Sequence, residues 1–146
     1  MKVAIAGAAG RMGRTLIEAV LKESDLRLAA ALDAAGTASL GKDAGEAVGT
    51  ACGVKVSSDL AVLSEADCLI DFTRPEGTLA HLERCVATGT RMVIGTTGFS
   101  AEEKQQIEQA SRKIGIVFAP NMAIGVNATF KLAEVAARIL GDAYDV

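Results

Sequence analysis

Apolar residues along this chain recur with two periods that alternate. Lys2–Ala6, Leu26–Leu32, Cys68–Phe72, Thr90–Ile94 and Ile116–Ala119 are short apolar runs, the length and continuity expected of strands buried on both faces. Between them lie stretches whose apolar residues share one helical face. Arg11–Lys22 carries Leu16, Ile17, Val20 and Leu21, and the segment after Pro75 carries Leu79, Leu82 and Val86. The segment after Ser100 carries Ile107, Ala110 and Ile114, and about Gly125–Leu140 carries Val126, Phe130, Ala133, Ala137 and Leu140. Pro75 suits a first helical position. Ser100-Ala-Glu-Glu103 has the spacing of a capping box. Residues 34–52 are rich in Ala, Gly, Ser and Thr and read as mostly loop, with at most one short helix around Asp43–Val48. Val54–Val56 reads as a short strand, Asp59–Leu63 as a helical turn, and Asp142–Val146 as the start of a further strand.

Strands alternating with helices predict an α/β fold, a Rossmann-type doubly wound parallel sheet covered on both faces. The length of 146 residues suits one domain, and residues 1–146 are read as a single dinucleotide-binding domain. Half the residues are hydrophobic and mean hydropathy is +0.31, but no stretch approaches the ~18 uncharged apolar residues of a membrane span. Lys2 followed by an apolar run invites a check for a signal peptide, yet Arg11 and Arg14 follow too soon; a buried strand entering a glycine turn fits better. With a formal charge of −3 and 3% aromatics, the chain lacks the basic surface and stacking rings of a nucleic-acid binder. Cys52, Cys68 and Cys85 are odd in number and lack C-x-x-C spacing, so reduced thiols in a cytoplasmic protein are expected rather than a disulfide framework or a metal site.

The first β-α junction is the main candidate for chemistry. Gly7-Ala8-Ala9-Gly10-Arg11-Met12-Gly13 spaces its glycines as G-x-x-G-x-x-G. Gly7 can take the tight exit from the strand, Gly10 lets the backbone approach a pyrophosphate, and Gly13 lets the helix pack close to the sheet. The helix N-terminus then offers free N–H groups and a partial positive charge to phosphates, and Arg11 can add a charge-assisted contact. Asp33 closes the second strand twenty residues beyond Gly13, the place of the carboxylate that binds an adenosine ribose, although by itself it could equally be a solvated turn residue. The same residue would repel a 2′-phosphate, and Ala34 and Ala35 offer nothing to offset that. NADH is therefore favoured by Asp33, with Arg11 the candidate partner for the extra phosphate of NADPH.

Ligands of such sheets lie outside the carboxyl ends of the strands. Arg74 follows the fourth strand and could meet ribose or adenine, or stay solvated at a helix start. Gly95-Thr96-Thr97 could hydrogen-bond a nicotinamide ribose or carboxamide, or form a plain turn. Ala119-Pro120-Asn121-Met122 could meet the nicotinamide end, although Asn121 could equally cap the last helix. His81, the only histidine, is read as a structural residue of a helix, away from the strand ends; no Ser-His-Asp set or metal cluster is built around it.

Taken with Asp71-Phe-Thr-Arg-Pro-Glu-Gly-Thr78, Val93-Ile-Gly-Thr-Thr-Gly-Phe99 and the opening Val3–Gly13, these segments resemble the dihydrodipicolinate reductase family along nearly the whole chain and in the family's order. The resemblance implies cofactor contacts at Gly7, Ala8, Ala9, Gly10, Arg11, Met12, Asp33, Gly95, Thr96, Thr97, Ala119, Pro120, Asn121 and Met122. It implies a cytoplasmic homotetramer that reduces a cyclic dicarboxylate with NADH or NADPH in lysine and diaminopimelate synthesis. The family's substrate domain, with its histidine-rich segment, catalytic His and Lys and Ser-Gly-Thr motif, has no counterpart in residues 1–146. The chain is therefore expected to be the cofactor part of a truncated or cleaved enzyme, without catalytic residues of its own, residues 121–146 leading into the missing domain through a hinge at Asn121–Asn127. Two other readings share the residues: the cofactor domain of an aspartate or homoserine dehydrogenase, and a non-catalytic nucleotide-binding module.

Overall fold

The computed structural model of the chain describes residues 1–141 and residue 144. The expected strand at Asp142–Val146 lies, but for Tyr144, outside the described residues. Six strands form one parallel sheet in the order β3-β2-β1-β4-β5-β6: β1 Lys2–Ala6, β2 Arg27–Leu32, β3 Val56–Ser57, β4 Cys68–Asp71, β5 Arg91–Ile94 and β6 Ile116–Phe118. The order reverses between β1 and β4, the point where such sheets open a crevice at their carboxyl edge.

Four α-helices connect the strands: α1 Arg11–Lys22, α2 Pro75–Thr88, α3 Ala101–Ser111 and α4 Ile124–Leu140. Helices α2 and α3 are bounded as their sequence dictates. Pro75 opens α2, Gly89 closes it at φ +76°, and Ser100 with Glu103 forms the complete capping box of α3. Helix α1 has neither a side-chain cap nor an acidic residue in its first turn.

Alternation along the strands divides the core in two. Val3, Ile5, Leu28 and Ala31 face α1 with Ile17 and Val20. Ala4, Ala6, Leu69, Met92 and Ile94 face α2 and α3, meeting Leu82, Cys85, Ile107 and Ala110. Ile5, Ile70, Val93 and Val117 form a row across the α1 side of the sheet. Ile5 is fully buried, whereas Val117 is 57% exposed, so the cover of that face ends before β6. Helix α4 buries none of its residues, and Ile124, Phe130, Leu132 and Ile139 all face solvent.

Two boundaries moved for physical reasons. Of the strand expected at Val54–Val56, only Val56 joins the sheet, because 54–56 first pairs antiparallel with 42–44: Ala44 N–H donates to Val54 O and Val56 N–H to Lys42 O. The helix expected near Asp43–Val48 is one 3₁₀ turn, Glu46–Val48, because Asp43 is occupied elsewhere. Its carboxylate accepts the N–H groups of Gly45, Cys52 and Gly53. The bonds from Cys52 and Gly45, with the Cys52 thiol, hold its pKa down to about 2. A loop that reads as unstructured is thus organised around one acid.

Candidate functional site

The glycine loop leaves β1 under Asp33 of β2. Gly7 takes φ +69°, and a Cβ there would stand 3.0 Å from the Thr73 methyl. A Cβ on Gly13 would stand 2.0 Å from the Gly7 carbonyl oxygen, so only glycine lets α1 start this close to the strand. Gly10 turns the chain into α1 at φ −71°, which any residue can adopt. The N–H groups of Arg11, Met12 and Gly13 have no protein partner among the described residues. They form an uncapped, unopposed positive helix end facing the crevice.

Ala8 and Ala9 do different work. Ala8 is buried and donates its N–H to Leu32 O at 2.9 Å, and Ala9 donates its N–H to Asp33 Oδ2 at 2.9 Å. Both amides fasten the loop to the end of β2 and are already engaged. Asp33 also accepts the Ala34 N–H through Oδ1 at 2.8 Å, which fixes the carboxylate while leaving lone pairs at the cleft.

Gly7, Gly10, Arg11, Gly13 and Asp33 line a cleft of about 910 Å³ with Met12, Ala34, Leu60, Arg74, Glu76, Gly77, Ala80 and His81. The structure therefore brings together Gly7, Gly10, Arg11, Met12, Gly13, Asp33 and Arg74, but Ala8 and Ala9, expected among the contacts, lie outside this cleft, toward Thr37 and Lys42. It does not bring Gly95–Thr97 or Ala119–Met122 into this cleft; they follow β5 and β6 farther along the same edge, beyond the end of β4. Gly95 is pressed against the Phe72 ring, where a Cβ would meet ring carbons at 2.0 to 2.4 Å. The Thr96 hydroxyl is buried, accepting from Thr78 Oγ1 and donating to Asp71 Oδ1 at 3.3 Å, so only Thr97 of the pair presents its side chain to solvent. Asn121 accepts the Ala123 N–H through Oδ1 at 2.8 Å, an Asx turn leading into α4.

One arrangement escaped the sequence reading. Asp71, at the carboxyl end of β4, is fully buried and accepts from Thr73 N–H, Thr73 Oγ1 and Thr96 Oγ1 through Oδ1 and from His81 Nδ1 through Oδ2 at 2.7 Å. Burial would raise its carboxyl pKa, but the hydrogen bonds from His81 and Thr73 and the charge of the imidazole outweigh this and hold it below the usual carboxylate range. The placement of His81 away from the strand ends is thus corrected. The first turns of α2 lie over the end of β4, and Gly77 and His81, one helical turn apart, face the cleft together. A lone acid ending the apolar run Cys-Leu-Ile, followed ten residues later by the only histidine, was the available signal. Among the described residues, no cluster of His, Cys, Asp and Glu could hold a metal ion, and no helix is long and apolar enough to cross a membrane.

The strand order, with the glycine loop of the first β-α junction fastened to Asp33 at the end of β2, defines a Rossmann-type domain. The family model "Dihydrodipicolinate reductase, N-terminus" matches residues 1–122, and the chain belongs to that family. It is 62% identical over 147 aligned positions to the 4-hydroxy-tetrahydrodipicolinate reductase of Cupriavidus metallidurans, covering 100% of this chain and 56% of the relative. It is 59% identical over 145 residues to that of Bordetella parapertussis, covering 99% of this chain and 54% of the relative. The dipicolinate-bound dihydrodipicolinate reductase of Paenisporosarcina sp. TG-14 superposes with a TM-score of 0.75 at 32% identity, over 94% of this chain and 53% of that one. Saccharopine dehydrogenase of Saccharomyces cerevisiae, at 15% identity and a TM-score of 0.55 over 79% of this chain and 26% of that one, shares the fold alone. The chain spans about half the length of the curated relatives it matches.

Proposed function

We propose that this chain is the cofactor-binding part of an NAD(P)H-dependent reductase that converts dihydrodipicolinate to tetrahydrodipicolinate. The observation that carries the reading is the uncapped start of α1, where three free N–H groups face a cleft bounded by Arg11, Arg74 and Asp33. The Arg11–Gly13 amides would hold the pyrophosphate and Asp33 the adenosine ribose. Gly95–Thr97 and Ala119–Met122, after β5 and β6, would border the nicotinamide half. When bound, the cofactor supplies hydride to the ring of the substrate; the chain's own residues bind and orient it.

No residue of 1–146 is assigned a catalytic role in this reading, and substrate binding and proton donation belong to a second domain entered through residues 121–146. Exposed apolar residues on α4 and the uncovered Val117 side of β6 support further chain packing there. The whole enzyme is read as a cytoplasmic homotetramer of lysine and diaminopimelate synthesis, on the strength of the family alone. The relatives' names favour this over an aspartate or homoserine dehydrogenase or a non-catalytic module.

Calorimetric titration with NADH tests the cofactor role. Gly10→Val keeps an allowed backbone at φ −71°, and its Cβ, 3.1 Å from Gly7 O, needs only a shift of a few tenths of an ångström, but the side chain fills the approach to the phosphates. The variant should remain folded and lose affinity at least about tenfold, the scale of one lost charge-assisted contact. Undiminished affinity removes the phosphate assignment.

Asp33 should set the choice between cofactors toward NADH. Asp33→Ser with Ala34→Arg is expected to move the NADPH/NADH affinity ratio toward NADPH by about 1–2 kcal/mol. Both affinities should fall somewhat, since the Ala9 anchor is weakened. An unchanged ratio measured by fluorescence titration would transfer the choice to Arg11 or another group.

A further inference from the structure

The turn after β5 alternates between core and solvent: Thr96 and Phe99 are buried, while Thr97 and Gly98 are exposed. Gly95 starts it against the Phe72 ring and donates its N–H to Asp71 O at 2.9 Å, and Phe99 ends it edge-on to Phe118, with ring centres 5.5 Å apart. Between those anchors Thr96 is tied inward by its hydroxyl, which accepts from Thr78 Oγ1 at 2.9 Å and donates to Asp71 Oδ1 at 3.3 Å. The hydroxyls thus point one way, from α2 through the turn to the carboxylate that ends β4. Asp71 and Thr78 are 0% exposed and Thr96 3%, and none of the three lines the cleft. Apolar side chains of the same shape would fill this space without the cost of burying polar groups. What the hydroxyls add is direction, since a satisfied buried network fixes one arrangement.

Resting on the cofactor reading above, which sets the turn after β5 beside the nicotinamide half, we propose that Thr96 is a positioning residue and not a contact: Asp71 and Thr78 hold its hydroxyl inward, and this keeps Thr97 and Gly98 turned outward toward the ligand. Thr97 is its neighbour in the chain, so a turn in which Thr96 rolls outward carries Thr97 off its line. Gly98, at φ +91°, leaves the turn in a conformation that favours glycine, so the backbone has little slack to absorb such a roll. The pyrophosphate end shares none of these bonds. The glycine loop is fastened instead to Leu32 and Asp33 through the Ala8 and Ala9 amides, so releasing Thr96 loosens one half of the site and leaves the other in place.

Calorimetric titrations with NADH and with ADP-ribose, which lacks the nicotinamide, separate the two halves. The unaltered chain should bind NADH the more tightly. Thr78→Val and Thr96→Val keep the side-chain shape and lose the hydroxyl. Each should weaken NADH binding by about fivefold, the scale of one hydrogen bond, and leave ADP-ribose affinity unchanged. Thr96→Ser keeps the hydroxyl and should rescue NADH affinity. Thr78 is buried within α2, out of reach of any ligand, so a selective loss there reads positioning through Thr96. If the network only holds the fold together, the melting temperature falls while both affinities move alike or neither moves, and that result overturns the proposal. An unaltered chain that binds NADH no more tightly than ADP-ribose overturns it too. Should Thr78→Val fail to fold, Thr78→Ala removes the same hydroxyl with less bulk and takes its place. Failure of the unaltered chain to bind either nucleotide is a separate outcome: it overturns the cofactor reading, and this inference with it.

Discussion

Gly13→Ala should destabilise the chain by about 2–3 kcal/mol and lower its melting temperature by roughly 5–10 °C. Two effects of opposite sign compete. Alanine is the better helix former by about 1 kcal/mol in a helix interior, which alone would stabilise α1. Its Cβ, however, would stand 2.0 Å from the Gly7 carbonyl oxygen and 2.8 Å from Ala8 Cα, and neither is the end of a flexible side chain. The first turn of α1 must move off β1, dragging the loop amides with it, so affinity for NADH should fall with stability. Thermal unfolding checks the sign. A variant as stable as the parent would mean that the loop does not pack against α1 as described.

Asp71→Ala should cost about 3 kcal/mol, and Tm roughly 6–10 °C, although no core volume of comparable value is lost. The substitution leaves Thr73 N–H and His81 Nδ1 without their acceptor around an apolar gap, and leaves the Thr73 and Thr96 hydroxyls only their contacts with Thr78 Oγ1. The same carboxylate sets an acid limit. Its folded-state pKa lies below the ordinary value, so its contribution is complete above about pH 4 and is lost as pH falls through the folded value. Asp71→Asn should therefore show a smaller loss of stability than the parent on going from pH 5 to pH 3, measured by urea unfolding. An identical slope would mean that other acids, Asp43 among them, carry the acid response.

Local pattern carried most of the architecture. Buried strands read as unbroken apolar runs because parallel strands are covered on both faces, and α2 and α3 announced themselves through Pro75 and the Ser100–Glu103 box. The glycine loop was legible because its demands are steric and local: Gly13 is excluded from every other identity by one backbone oxygen. What stayed hidden depended on distant partners. The antiparallel pairing of 42–44 with 54–56 is organised by Asp43, whose bonds reach nine and ten residues along the chain. The Asp71–His81 contact needs α2 to fold back over the end of β4, which no periodicity records. Thr96 looked available because it follows a glycine at a strand end, yet its hydroxyl points inward to Asp71. Helix α4 showed an apolar side without revealing that nothing in the described residues covers it.

We propose that a dinucleotide is held at the start of α1. Backbone amide NMR on the ¹⁵N-labelled chain tests it most directly, titrated with NADH. Saturable shifts of the Arg11, Met12 and Gly13 amides, together with Asp33 and Arg74, at one equivalent per chain are the result this structure predicts. Binding that leaves those amides unmoved, or perturbs only the opposite edge of the sheet, would contradict it.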